Sequence, residues 1–186
     1  MVTLQAKVMI STIKVGKGWM TIAYTDGPEV IADSPVSNSA EESERSVVGD
    51  LQARGMEAMR EPVRPSLLGL APRILRGDPK VPISRRGISG FRWAVFEYVR
   101  RIPRGKVASY SDVARAIGKP GAQRAVGTVM ATHCLTYIIP CHRVVKNDLS
   151  PGRFSSHESK VEMLKAEGVE MKGGRIREKH RLAQGT

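Results

Sequence analysis

Apolar and polar residues alternate along residues 6–24, with Val8, Ile10, Ile13, Val15, Met20 and Ile22 distributed around Gly16 and Gly18. A period of two broken by glycines predicts two short strands of a hairpin. Gly27-Pro28 punctuates the run, and residues 34–44 turn to Ser, Pro, Asn and Glu, a loop or helix lead-in before a predicted helix over 45–60. A second helical stretch, 66–76, stops at Gly77-Asp78-Pro79. The following DPKVPISRRG, residues 78–87, holds two prolines and three basic residues, which is linker chemistry, and the domain boundary is placed there.

Beyond the linker, Ser89, Phe91, Trp93, Val95, Phe96 and Val99 fit an amphipathic helix that ends at Ile102-Pro103-Arg104-Gly105. Lys106 to Tyr110 reads as a short extended link, and Ser111 as the cap of a helix through Ile117. Gly118-Lys119-Pro120-Gly121 makes a turn, and Ala122 to Thr132 returns to helical period with Ala125, Val126, Val129 and Met130 inward. Helix, glycine-containing turn, helix is a helix-turn-helix pattern. Leu135 to Ile139 is apolar and reads as a strand stopped by Pro140; 147–158 is a loop, Ser159 to Gly168 a last helix, and residues 172–186 a basic, polar stretch expected to fray. The expected fold class is therefore α/β in the α+β sense. A small N-terminal sheet-plus-helix domain (1–84) precedes a mainly helical, winged-helix-like domain (85–175) and a disordered basic tail (176–186).

Charge changes this picture more than composition does. Of 186 residues, 41% are hydrophobic and 26% charged, an ordinary globular balance, but the net charge is +12. Residues 1–84 carry ten basic and ten acidic side chains, whereas 85–177 carry eighteen and seven. A basic half joined to a neutral one points to a polyanion partner, because Lys and Arg that neutralise phosphates release counterions. No stretch approaches 18 consecutive apolar residues and the N-terminus lacks the apolar core of a signal peptide, so a soluble intracellular protein, cytoplasmic or nucleoid-associated, without a membrane partner is expected. Cys134 and Cys141 cannot build a disulfide framework and lack zinc-ligand spacing; neither metal nor cofactor is expected.

Chemistry concentrates in Tyr137-Ile138-Ile139-Pro140-Cys141-His142-Arg143-Val144-Val145. Successive strand residues face opposite ways, so Cys141 and His142 can cooperate only if the chain bends after Pro140. A thiol has a pKa near ~8.5, and using it as a nucleophile calls for a base or a positive charge, which His142 or Arg143 could supply. A carboxylate should orient the imidazole; Glu167 and Glu162 of the last helix are the candidates.

Region 88–174, about half the chain, resembles the O6-alkylguanine-DNA alkyltransferases, also called methylated-DNA-protein-cysteine methyltransferases. Pro140-Cys141-His142-Arg143-Val144 matches the family's signature pentapeptide, and Lys106 to Tyr110, Gln123-Arg124-Ala125-Val126-Gly127 and Ala166-Glu167-Gly168 follow the family's order and spacing. The resemblance implies a monomer, with cooperative binding along DNA left open. Its helix-turn-helix would enter the minor groove of double-stranded DNA containing O6-alkylguanine, with Ala122, Gln123, Ala125 and Gly127 at the close approach. Arg124 would fill the place of an extruded nucleotide. Tyr110 would help rotate that nucleotide and bond the guanine ring. Cys141 would accept the alkyl group while His142, oriented by Glu167, acts through a water as its base. Met130, Ser155, Phe154 and Arg143 would line or border the base pocket.

Two departures from the family pattern bear on that pocket. His133 replaces an asparagine that braces two turns, and the loop Phe154-Ser155-Ser156-His157 stands where a Tyr-x-Gly-Gly pattern is usual and is about one residue shorter. Two other readings compete. A helix-turn-helix protein that binds DNA or senses damage without transfer has no use for Cys141, and a cysteine hydrolase or redox enzyme leaves Arg124 and the lopsided charge unexplained.

Overall fold

The computed structural model describes residues 6–27, 29–152 and 160–183. The chain folds as two compact units. One contains the chain up to Ile88 together with the later segment Cys134–Ile138, and the other contains Ser89–His133 and the chain from Ile139 onward. Mixed α/β structure is observed, with six α-helices among the described residues.

In the first unit the predicted hairpin forms: β1 (Ala6–Val15) and β2 (Gly18–Tyr24) pair antiparallel. Strand β3 (Val30–Asp33) pairs with β2, and β4 (Met56–Arg60) pairs parallel with β1, giving the order β3-β2-β1-β4. Helix α1 (Ala40–Ala53) lays Val47 and Leu51 against Val8, Ile10, Ala23 and Ile31 of the sheet. Full burial of such side chains contributes roughly 1.5–3 kcal/mol each.

The predicted helix 45–60 is corrected at both ends. It begins earlier because the Ser39 side chain accepts from the Glu42 N–H at 3.1 Å. It stops at Ala53 because Gly55, at φ +68°, turns the chain out of the helix, which frees Met56–Arg60 to pair as a strand. Helix α2 (Pro65–Leu75) lies where it was expected, with Pro65 at its first position.

In the second unit α3 (Gly90–Val99) starts under a Ser89 cap and buries Val95, Phe96 and Val99. Strand β5 (Ala108–Ser109) leads directly into α4 (Tyr110–Ala116). The cap is Ser109, two residues before the expected Ser111; it forms a reciprocal capping box with Asp112. This moves Tyr110 from the link into the first turn of the helix. A turn through Gly118 (φ +70°) then leads to α5 (Gln123–Ala131), whose buried residues are Val126, Val129 and Met130; Ala125, expected inward, is exposed.

Leu135–Ile139 does not form a strand. Leu135 makes one isolated bridge with Asp33, residues 136–138 turn, and a 3-10 turn, Cys141–Arg143, precedes β6 (Val144–Val145), which pairs parallel with β5. The apolar run is buried without a ladder, a case that hydrophobicity alone cannot separate from a core strand.

Helix α6 (Lys160–Ala166) is followed by a second correction: the tail is structured through Ala183. Strands β7 (Met171–Lys172) and β8 (Arg175–Ile176) form a hairpin, and Val107 bridges Arg181. Ile176 and Val169 join Val107, Val145, Leu149 and Leu164 in one cluster, and Arg181 donates to Asp112 at 3.0 Å. Single apolar residues spaced among charges gave no period, yet each fills the core. Among the described residues no helix is long and apolar enough to cross a membrane.

Truncating Ile176, 3% exposed, to alanine should cost about 2–4 kcal/mol in denaturant unfolding. Amide exchange in residues 171–181 should be protected; free exchange there would mean the tail frays after all.

Candidate active site

The reactive segment is a tight turn stabilised by its own backbone. The Cys141 N–H donates to Ile139 O at 2.7 Å and the Arg143 N–H to Pro140 O at 2.9 Å. The two residues that follow the thiol converge on one carboxylate. His142 Nε2 lies 2.9 Å from Glu167 Oε1, Arg143 Nη2 donates to Oε1 at 2.7 Å and Arg143 Nε to Oε2 at 2.9 Å. Arg143 Nη1 also donates to the Ile102 carbonyl at 2.6 Å. The Gly105 N–H reaches Oε2 at 3.4 Å, and a Cβ on Gly105 would stand 3.3 Å from the Glu167 carbonyl at φ +76°, so glycine suits that approach.

The Glu167 side chain is 6% exposed. Burial opposes its ionisation, but the bonds from His142 and Arg143 outweigh that and hold its pKa at about 2. Its contribution to stability is thus present above the ordinary carboxylate range and lost as pH falls toward 2. An ionised acceptor at Nε2 fixes the proton on that nitrogen in the neutral ring and leaves Nδ1 as the basic one. Of the two candidate carboxylates, Glu167 takes the position on His142, while Glu162 is exposed on α6.

The thiol itself differs from expectation. Among the described residues no hydrogen bond joins Cys141 Sγ to His142, and Arg143 is committed to Glu167 and Ile102. Burial pushes the Cys141 pKa up to about 11, against the opposing pull of Lys160. The resting sulfur is a neutral thiol; the imidazole does not hold it ionised.

Lys160, absent from the sequence reading, is the cation that acts on this sulfur. It is 3% exposed, its Nζ donates to the Val144 carbonyl, and it stands 5.8 Å over the ring of Tyr110. Burial lowers its pKa to about 8, opposed by Cys141. One signal was available: Lys160 lies four residues before Leu164, on the buried stripe of α6, where a lysine is out of place unless it serves a polar site. Tyr110 belongs to the same group, and burial and Cys141 both raise the pKa of its phenol.

The structure brings Cys141, Tyr110 and Lys160 together, with His142, Arg143 and Glu167 adjoining through the turn. Gly127 adjoins Tyr110, since a Cβ there would meet Tyr110 Cε1 at an ordinary 3.9 Å, and no closer approach is found among the described residues. Ala122 caps α5, and Gln123, Arg124 and Ala125 are exposed on it. Met130 is buried behind that face. His133 sets its ring edge-on to Phe96, with centroids 6.2 Å apart. Phe154 and Ser155 lie outside the described residues. Among the described residues no group of acidic, cysteine and histidine side chains could hold a metal ion.

Residues 90–169 match the family described as 6-O-methylguanine DNA methyltransferase, DNA binding domain. The chain is 47% identical over 68 residues to the bifunctional transcriptional activator/DNA repair enzyme Ada of Escherichia coli, covering 37% of this chain and 19% of that protein. It is 38% identical over 94 residues to the constitutive methylated-DNA-protein-cysteine methyltransferase of Bacillus subtilis, covering 50% of this chain and 56% of that one. These alignments span about half or less of the relatives' lengths. In three dimensions it is similar to the O6-methylguanine-DNA methyltransferase of Pyrococcus kodakaraensis, with TM-score 0.64 and 25% identity over 87% of this chain and 99% of that one.

A thiol with its pKa near 11 reacts through a thiolate fraction that keeps growing with pH. Carbamidomethylation of the Cys141 peptide by iodoacetamide should therefore still accelerate above pH 10, and Lys160→Met should move the midpoint higher. A plateau below pH 9 would show the sulfur ionised at rest.

Proposed function

We propose that this chain, whose residues 90–169 match the 6-O-methylguanine DNA methyltransferase DNA binding domain, repairs DNA by moving the alkyl group of a flipped-out O6-alkylguanine onto Cys141, once per molecule. The observation that carries this reading is the Cys141 thiol in a turn whose adjacent histidine is bonded to a buried carboxylate, beside Tyr110 and Lys160.

In the proposed reaction the Cys141 proton passes through a water to His142 Nδ1, while Nε2–H stays on Glu167. The thiolate attacks the alkyl carbon, the S–C bond forms, and the C–O6 bond breaks with its electron pair leaving on the guanine. The proton then passes from His142 to the guanine anion, so the products are an S-alkylcysteine and guanine. A site that keeps the thiol neutral until a substrate arrives protects it from stray electrophiles and oxidants. The thioether has no leaving group that water can displace, which makes the protein a stoichiometric reagent. Nothing in these steps calls for a cofactor.

The lesion lies inside the base stack, so reaching it requires flipping at a cost of a few kcal/mol. Helices α4 and α5 form the helix-turn-helix of this reading, in a winged-helix-like domain that meets the minor groove. Ala122, Gln123, Ala125 and Gly127 present small or neutral groups there. Arg124 is exposed on α5, and its planar guanidinium can stack while bonding the strand left behind. Tyr110 would bond the guanine ring, with Met130, His133, Phe154 and Ser155 shaping or bordering the pocket. Arg143 is assigned to Glu167 rather than to the substrate. The phosphates supply the partner for the basic half of the chain. The reactive cysteine favours transfer over damage sensing alone.

Incubation with a duplex carrying O6-methylguanine should add a single methyl mass to the Cys141 peptide, and Cys141→Ala should abolish transfer while keeping duplex affinity. Repeated turnover per molecule would rule the reading out. Arg124→Ala should react normally with free O6-benzylguanine but lose at least about tenfold of its rate on duplex, measured as single-turnover constants, since losing the stand-in exposes the few kcal/mol of unstacking. Equal losses on both substrates would remove Arg124 from that role.

A further inference from the structure

Immediately before the reactive turn, Cys134–Ile138 belongs to the first compact unit although the residues on both sides belong to the second. Asp33, the last residue of β3, accounts for much of this. Its N–H donates to the Cys134 carbonyl at 2.9 Å, its carbonyl accepts from Thr136 Oγ1 at 3.1 Å, and its Oδ2 accepts from the Tyr137 N–H at 3.1 Å. Leu135 bridges the same residue. Nearby, Arg54 Nη1 donates to Cys134 Sγ at 3.1 Å, and the Val36 N–H donates to the Tyr137 hydroxyl at 3.0 Å.

From this geometry we infer that Asp33 is a positioning residue for Cys141: it anchors Cys134–Tyr137, the segment that delivers the reactive turn, to the edge of the N-terminal sheet. The inference rests on reading Cys141 as the alkyl acceptor. Only Ile138, Ile139 and Pro140 separate Tyr137 from Cys141, so slack in the anchored segment passes into the turn within three residues. The segment has no strand ladder of its own, and Asp33 supplies the bonds a ladder would have made.

A carboxyl is a costly anchor here. Asp33 is 1% exposed and its Oδ1 has no hydrogen-bond partner among the described residues. Burial raises its pKa to about 8, bonds from Tyr137 and Thr136 pull the other way, and Asp50 adds to the rise. The ionisable groups around it are Asp50 of α1, Arg54 just after that helix, and Cys134. Asp33 thus serves as a neutral acid at pH 7. An acid raised in the folded state loses stability as pH climbs from its unfolded value to about 8, so Asp33→Asn, with no charge to bury, should fold at least as well as the parent at pH 7.

The test compares the full-length parent with Asp33→Asn, Asp33→Ala and Thr136→Val. Three measurements are made: single-turnover transfer from free O6-benzylguanine between pH 6 and 9, amide exchange in residues 139–145, and affinity for unmodified duplex. Asp33→Ala should slow transfer on the order of tenfold to a hundredfold, as misplacement by about 1 Å does, and speed exchange in 139–145, with duplex affinity unchanged. Asp33→Asn, which keeps an oxygen for the Tyr137 N–H, should restore the rate, and its ratio to the parent should rise as pH passes 8. Should Asp33→Ala fail to fold, Thr136→Val, which likewise deletes one of the three bonds, should also slow transfer and speed exchange. Parent-like rate and exchange in the alanine or valine variant would overturn the anchor, and so would an asparagine variant as slow as alanine. A ratio flat across pH 8 would overturn the neutral acid. If the parent itself transfers nothing to Cys141, the reading of the site fails, and the exchange data still decide the anchor.

Discussion

The second unit is organised around the carboxylate of Glu167. It sits at the end of α6 and gathers His142, Arg143 and the Gly105 backbone onto two oxygens. Burying that charge is tolerable because a guanidinium and an imidazole face it, and removing the guanidinium would leave it without a countercharge. The same bonds connect the end of α6 to the turn after Pro140 and to the loop before β5. One ion therefore ties down the turn bearing Cys141 from the α6 side and decides which nitrogen of His142 carries a proton. Structural pairing and proton handling are two results of one contact.

Around the sulfur the electrostatics are balanced differently. Burial keeps Cys141 protonated, and Lys160, itself pushed toward neutrality by burial, opposes that effect. Each group perturbs the other, so the proton needed to make a thiolate is held close to groups able to take it. Tyr110 joins this balance because the cap at Ser109, not at Ser111, puts it in the first turn of α4.

Much of this was legible in residue order. The hairpin around Gly16, the helices over 66–76, 89–102 and 122–132, and the stretch Pro140-Cys141-His142 follow from local pattern, because period and turn residues act over a few positions. Helix 45–60 failed where Gly55 ended it, since a pairing partner fifty residues away in β1 was unseen. Leu135–Ile139 failed because an apolar run reports burial and not strand pairing. The tail failed because Val169, Met171 and Ile176 are too sparse to show a period, and their value lies in a cavity formed by distant residues.

What the amino-acid order determined by itself was chemical identity: a thiol, an imidazole and a carboxylate in a family pattern, a basic second half, and an arginine on a helix after a glycine turn. Tertiary structure alone decided the charge states and the partners. Arg143 serves Glu167, Lys160 serves the thiol, and Asp33 holds a segment a hundred residues away. The physical reason is that a proton's affinity depends on burial and on charges a few ångströms distant, and neither quantity is a property of neighbours in sequence.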